Sequence, residues 1–157
     1  MKAARFTAGP APVLLLLLLA AFPAAGQTVD SVDLASLIGL TPAEALERLG
    51  APAELLAARG PEPWQDDVVF YYPQHLYLFW YQNRVWQARV DARYQGKVLT
   101  VGMGSGRTEV RAALGEPLKE FPDSWVYQLE DRGYPVRLRL YFEEDRLVDA
   151  YCYRGDL

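Results

Sequence analysis

The chain offers few side chains able to do chemistry. Its one histidine is His75 and its one cysteine is Cys152. A zinc site needs three or four His, Cys or carboxylate ligands on one centre, so a His/Cys zinc site is excluded within a single chain. A Cys–His nucleophilic pair would use both residues, but no motif around either supports it. His75 precedes a strand pattern and reads as an ordinary face or surface residue, and Cys152 reads as a small core residue. Gly102-Met103-Gly104-Ser105-Gly106 stands between a strand and a helix, where a phosphate loop would stand. Arg107 and Thr108 follow it, so it lacks both the third glycine of a dinucleotide fingerprint and the Lys-Ser/Thr ending of a phosphate loop. A turn before a helix cap explains it. Asp66-Asp67 and Glu143-Glu144-Asp145 are too short to supply a calcium loop, and the second suits a hairpin tip. Nothing specifically suggests the carboxylate pair of a glycosidase. The expectation is a protein with no enzymatic activity, no cofactor and no metal.

The elements that would position a binding site come from a repeat. Ile38 to Pro52 lies over Met103 to Pro117 without a gap, pairing Gly39 with Gly104, Glu44 with Glu109, Leu49 with Leu114, Gly50 with Gly115 and Pro52 with Pro117. A second block lays Leu76 to Trp80 over Leu138 to Phe142, and Asn83-Arg84-Val85 over Asp145-Arg146-Leu147. Two blocks in the same order favour duplication over chance.

Each first block predicts a short helix. Thr41 caps it, Pro42 suits the first turn and Glu44 completes a capping box. Leu46 and Leu49 are expected to form the buried stripe, Gly50 to end the helix in a left-handed conformation, and Pro52 to prevent continuation. In the second copy Gly106 takes the cap position, and Gly115 and Pro117 repeat the stop.

Each second block predicts a β-hairpin. Leu138, Leu140 and Phe142 alternate with Arg137, Arg139 and Tyr141, a turn falls at Glu143-Glu144-Asp145, and Val148, Ala150 and Cys152 alternate with Asp149, Tyr151 and Tyr153. In the first hairpin Leu76, Leu78 and Trp80 face one side, and His75, Tyr77, Phe79 and Tyr81 the other. Further strands are expected near Val68–Tyr72, Trp125–Leu129 and Val98–Val101, with a helical turn within Asp30–Ile38. The expected fold class is α+β: two tandem helix-plus-antiparallel-hairpin repeats forming one curved antiparallel sheet with helices on one face. The expected divisions are a signal peptide over 1–26, a first repeat over 27–102 and a second over 103–157, the repeats making one compact domain.

The signal reading rests on Lys2 and Arg5, the apolar run Val13 to Phe22, and the small residues Ala24-Ala25-Gly26 before Gln27. The apolar run is short for a membrane span. Gln27 stands where a lipoprotein would carry cysteine, so the expectation is a periplasmic or secreted protein without a lipid anchor or a membrane span after cleavage. Loss of Lys2 and Arg5 takes the formal net charge from −4 to −6, which argues against nucleic acid as a partner.

The sheet face away from the helices carries the functional expectation. By alternation it displays Tyr77, Phe79, Tyr81, Arg89, Arg137, Arg139, Tyr141, Tyr151 and Tyr153. An open face is ordinarily polar. Tyr and Arg give stiff contact area with polar tips and dominate binding hot spots, so the expected partner is another protein in the envelope or outside the cell. The alternatives are an envelope-assembly or structural accessory, in which the tyrosines only hold the sheet together and contacts run through loops or edges, and a small-ligand binder. The long Arg59–Asp67 segment is a candidate to cover the face.

The spacing Gly-x4-Glu-x4-Leu-Gly-x-Pro before an alternating hairpin, present as Gly39…Glu44…Leu49-Gly50-Ala51-Pro52 and Gly104…Glu109…Leu114-Gly115-Glu116-Pro117, resembles two related groups. These are the outer-membrane-assembly lipoproteins of the SmpA/OmlA type and the tandem-repeat β-lactamase inhibitor proteins. Two copies in one chain look more like the latter, and the resemblance implies a concave sheet that grips a protein partner. The chain departs from the first group in lacking the anchor cysteine, and from the second in having one cysteine, which leaves no internal disulfide.

Overall fold

The computed structural model describes residues 32–59 and 67–157. The expected signal peptide, 1–26, falls outside the described residues, as do Asp30, Ser31 and residues 60–66 of the long segment.

Both principal helices form where their end signals stand. Helix α2, Pro42–Leu49, carries the full capping box: the Thr41 backbone N–H donates to Glu44 Oε2 at 2.7 Å, and the Glu44 N–H donates to Thr41 Oγ1 at 3.3 Å. Those bonds from Thr41 hold the Glu44 carboxyl below its usual range. Helix α3, Arg107–Leu114, begins after Gly106 with no side-chain cap. Gly50 and Gly115 end the two helices at φ 79° and 78°, with ψ −171° and −161°. This is the extended positive-φ region open mainly to glycine, rather than the left-handed helical one expected. A four-residue helix, α1 (Leu34–Leu37), capped by Asp33, supplies the expected N-terminal turn.

The buried stripe of α2 differs from the expected one. Ala45 is fully buried and Leu49 packs at the core's edge, while Leu46 is 44% exposed. The equivalent positions in α3 are Val110, also buried, and Leu114, with Arg111 in the place of Leu46. Leu46 thus lies beside the stripe, one residue round the helix from its buried neighbour.

Among the described residues ten strands follow: β1 Glu54–Ala58, β2 Asp67–Tyr72, β3 Leu76–Tyr81, β4 Arg84–Asp91, β5 Lys97–Val98, β6 Val101–Gly102, β7 Lys119–Glu120, β8 Ser124–Gln128, β9 Val136–Glu143 and β10 Arg146–Arg154. Eight form one antiparallel sheet in the order β1-β2-β3-β4-β10-β9-β8-β7. The fold is therefore α+β, with one large antiparallel sheet and few helices. The expected strand at Val98–Val101 is instead a two-strand ribbon, β5 and β6, turned through Leu99 at φ 54°. Strands β1 and β7, the sheet's two edges, were not expected.

The hairpins turn where the alternation breaks. Gln82-Asn83 and Glu144-Asp145 all have positive φ, as a two-residue type I′ turn requires. Each hairpin then contains a bulge: Trp80 pairs with Val85 but Phe79 with Gln87, and Phe142 pairs with Leu147 but Tyr141 with Asp149. The extra residues are Trp86 and Val148. The bulge overturns the inward placement of Val148, which is half-buried; Leu147 occupies the core instead.

All three described helices pack on one face of the sheet. Leu37, Ala45 and Val110 meet Leu76, Leu78, Val90, Leu138, Leu140 and Cys152 in a single apolar cluster. Matching anchors tie each helix end and turn to the strands. The Tyr72 hydroxyl donates to the Gly50 carbonyl at 3.5 Å and Tyr127 to that of Gly115 at 3.3 Å. Arg84 and Arg146 donate to the Gly39 and Gly104 carbonyls at 2.9 and 3.2 Å. The pairs Phe70–Trp80 and Trp125–Phe142 meet in tilted contacts at 4.7 and 5.0 Å between ring centroids. Tyr127→Phe removes one of these anchors without changing packing volume. It is expected to lower unfolding free energy by about 0.5–1.5 kcal/mol, read from the urea midpoint at unchanged slope.

Candidate functional site

The opposite face is built by register. One transverse row runs Tyr71, Tyr77, Arg89, Tyr151, Arg139, Val126 over β2, β3, β4, β10, β9 and β8. A second, parallel row runs Val69, Phe79, Gln87, Tyr153, Arg137, Gln128 over the same strands. Strands alternate their side chains between faces, so each row lies on the side away from the helices.

Eight of the nine expected side chains, all but Tyr81, are half-buried on this face. Arg89 is the centre of the first row. Its guanidinium lies 5.3 Å from the Tyr77 ring centroid and 5.2 Å from that of Tyr151, and its Nε donates to both carboxylate oxygens of Asp149 at 3.0 Å. The Asp149 hydrogen bond raises the Arg89 pKa further. Charge assistance and aromatic stacking together make Arg89 a fixed part of the sheet. Tyr141 meets Tyr151 edge to face at 5.5 Å and accepts a bond from Arg139 Nη1 at 3.2 Å. Phe79 meets Trp86 at 6.5 Å. Tyr81 stands apart at the hairpin end, 45% exposed, with only its hydroxyl engaged, by Gln82 at 3.2 Å.

Two shallow clefts open on the C-terminal half. One, of about 580 Å³, is lined by Lys119, Phe121, Val126, Gln128, Arg137, Arg139 and Tyr153. The other, of about 380 Å³, lies between Trp86, Gln87, Arg139, Tyr141, Tyr151 and Tyr153. Trp86, Phe121, Val126 and Lys119 escaped sequence reasoning. The bulge turns Trp86 outward, and the other three sit on or beside short strands with no legible alternation. A third cleft, about 630 Å³, lies on the helix side between α3 and β8, where Arg107 and Arg111 stack on Trp125.

His75 and Cys152 lie on opposite sides of the sheet, so they form no catalytic pair. Cys152 is in the core, where burial pushes its thiol up to about 12. His75, held at φ 63°, stands 3.8 Å from Asp91. In the Gly102–Gly106 segment the Gly104 N–H and the Ser105 carbonyl are bonded to Leu147, at 2.7 and 2.9 Å, in agreement with a structural turn.

Asp91 anchors the rim of the face. Burial alone pushes its pKa up. The Arg93 side chain at 2.8 Å, the Arg93 N–H at 2.9 Å, the Tyr77 hydroxyl at 2.9 Å and the nearby His75 outweigh that and hold it at about 2. The folded pKa lies below the unfolded value of about 3.9, so the stabilisation is complete above about pH 5 and is lost as pH falls through 2. Asp91→Asn is expected to narrow the drop in urea midpoint between pH 5 and pH 2.5 relative to the parent. An unchanged drop would contradict this assignment.

No family model matches the chain, and no curated protein sequence matches it. The chain is similar in structure to an extracellular protein containing an SCP domain from Bacillus anthracis, solved at 1.5 Å. The TM-score is 0.55 at 17% identity, over 80% of this chain and 47% of that one. The match therefore spans about half of that protein, and it shows likeness of fold alone.

Proposed function

We propose that this chain is an exported, non-catalytic binding protein that contacts another protein through the aromatic and arginine face of its sheet. The carrying observation is the pair of transverse rows, with all three described helices packed on the other side. Tyrosine rings and guanidinium groups held in register offer stiff contact area that loses little conformational entropy on binding. Export to the periplasm or beyond rests on the basic, apolar and small-residue segments of residues 1–26. A tandem duplication accounts for the recurring glycine ends, tyrosine anchors, I′ turns and bulges. Kinship with the SmpA/OmlA lipoproteins and tandem inhibitor proteins rests on the repeated Gly–Glu–Leu-Gly–Pro spacing.

The test is a pull-down from cell-envelope extract with the mature protein, beside a Tyr141→Ala/Tyr153→Ala variant shown folded by circular dichroism. Loss of a captured protein in the variant is the expected result. Equal capture by both would move the contact to loops or edges. That second reading, a structural accessory, draws on Arg89 and Tyr77, whose polar groups are already satisfied by Asp149 and Asp91.

A further inference from the structure

The two halves of the face differ in how their cations are neutralised. On the N-terminal half Arg89 holds Asp149 and Arg93 holds Asp91. On the C-terminal half, among the described residues, neither Arg137 nor Arg139 has a carboxylate within ion-pair distance. Arg139 makes one hydrogen bond, to the Tyr141 hydroxyl, and its Nε is buried without an acceptor. Its guanidinium lies 5.3 Å from the Phe121 ring and 5.9 Å from that of Tyr141, so it is partly stripped of water, and Asp123 attracts it only from beyond ion-pair distance. A half-desolvated cation without a partner costs free energy that an incoming anion offsets. Both clefts on this face share Arg139 and Tyr153, and the larger adds Arg137 and Lys119.

Resting on the protein-binding reading above, we infer that the β8-β9-β10 half of the face is an acceptor site for an acidic peptide segment, whose carboxylates sit on Arg137 and Arg139. Charge complementarity selects the occupant: Arg137, Arg139 and Lys119, none with a carboxylate at ion-pair distance among the described residues, line one cleft of an acidic chain. The apolar floor selects a peptide over a bare anion, because Val126 and Phe121 meet the aliphatic stem of a Glu side chain while its head meets the guanidinium. The N-terminal half, its charges already matched, contributes ring surface and no ionic specificity.

The test is titration with a capped penta-glutamate peptide and, separately, a capped penta-glutamine peptide, followed by the arginine side-chain Nε–Hε resonances. The glutamate peptide is expected to shift Arg137 and Arg139 and leave Arg89 in place, and the glutamine peptide to shift none. Affinity should fall about tenfold in Arg139→Gln, the scale of one charge-assisted hydrogen bond. Arg93→Gln, on the neutralised half, should leave it unchanged. Equal binding of both peptides, no shift with either, or shifts confined to Arg89 and Arg93 would overturn the inference. If such a result accompanied loss of the envelope partner in Tyr141→Ala/Tyr153→Ala, the binding face would stand and only the acidic specificity would fall. Equal capture by that variant alongside the expected Arg137 and Arg139 shifts would leave the acidic site standing and move the envelope partner elsewhere.

Discussion

Leu140→Ala is expected to lower unfolding free energy by about 2–5 kcal/mol. Leu140 is fully buried on β9, paired with Ala150 on one side and Trp125 on the other. It sits in the apolar cluster that joins the helices to the sheet. Its neighbours are held by strand pairing on both sides, so little collapse into the vacated space is available and the loss should fall in the upper part of that range. The check is the urea midpoint at constant slope. A cost under about 1 kcal/mol would mean that the core relaxes around the site, and the single-cluster description would be wrong.

Asp149→Ala should have the second largest effect, about 1–3 kcal/mol, because it removes the anion from a guanidinium that stays half-buried between two rings. The size distinguishes this from an ordinary surface ion pair, which is worth at most about 1 kcal/mol. A double-mutant cycle with Arg89→Met measures the coupling directly. Arg89→Met/Asp149→Ala is expected to be more stable than Asp149→Ala alone, since no uncompensated charge remains. A coupling near zero would show that Arg89 is solvated and that the row across β3, β4, β10 and β9 is not rigid.

Where sequence and structure agree, the signal was local. Thr41, Pro42, Glu44 and Gly50 act within one helix, so their spacing alone locates α2. The I′ turns at Gln82-Asn83 and Glu144-Asp145 fall where alternating runs stop. Disagreement arises where the cause is distant. Period-two reading assumes a constant phase, and the bulges at Trp86 and Val148 break it; the residues themselves carry no mark of this. Strand β1, Glu-Leu-Leu-Ala-Ala, has a helix-forming composition and exposed side chains on both faces, and only pairing with β2 makes it a strand. β7 is two exposed residues. The composition of the face away from the helices was legible, since alternation separates Tyr and Arg from Leu and Val. Its electrostatics were not. Arg89 and Asp149 are 60 positions apart, and only the β4–β10 pairing shows that Arg89 is neutralised while Arg137 and Arg139 are not.

This division gives the face a direction, with ring surface at β2-β3-β4 and uncompensated charge at β8-β9-β10. It also restricts which substitutions report on binding. Changes at Arg89 or Asp91 act through the fold, whereas changes at Tyr153, Arg137 or Arg139 act at the clefts.

The central claim, that a partner seats on this face, is tested most directly by placing a photo-crosslinking amino acid at Tyr153 and, separately, at Glu47 on the exposed side of α2, then irradiating intact cells that make each protein. A discrete crosslinked adduct is expected from position 153 and none from 47. Adducts from 47 alone would place the partner on the helix side and contradict the claim.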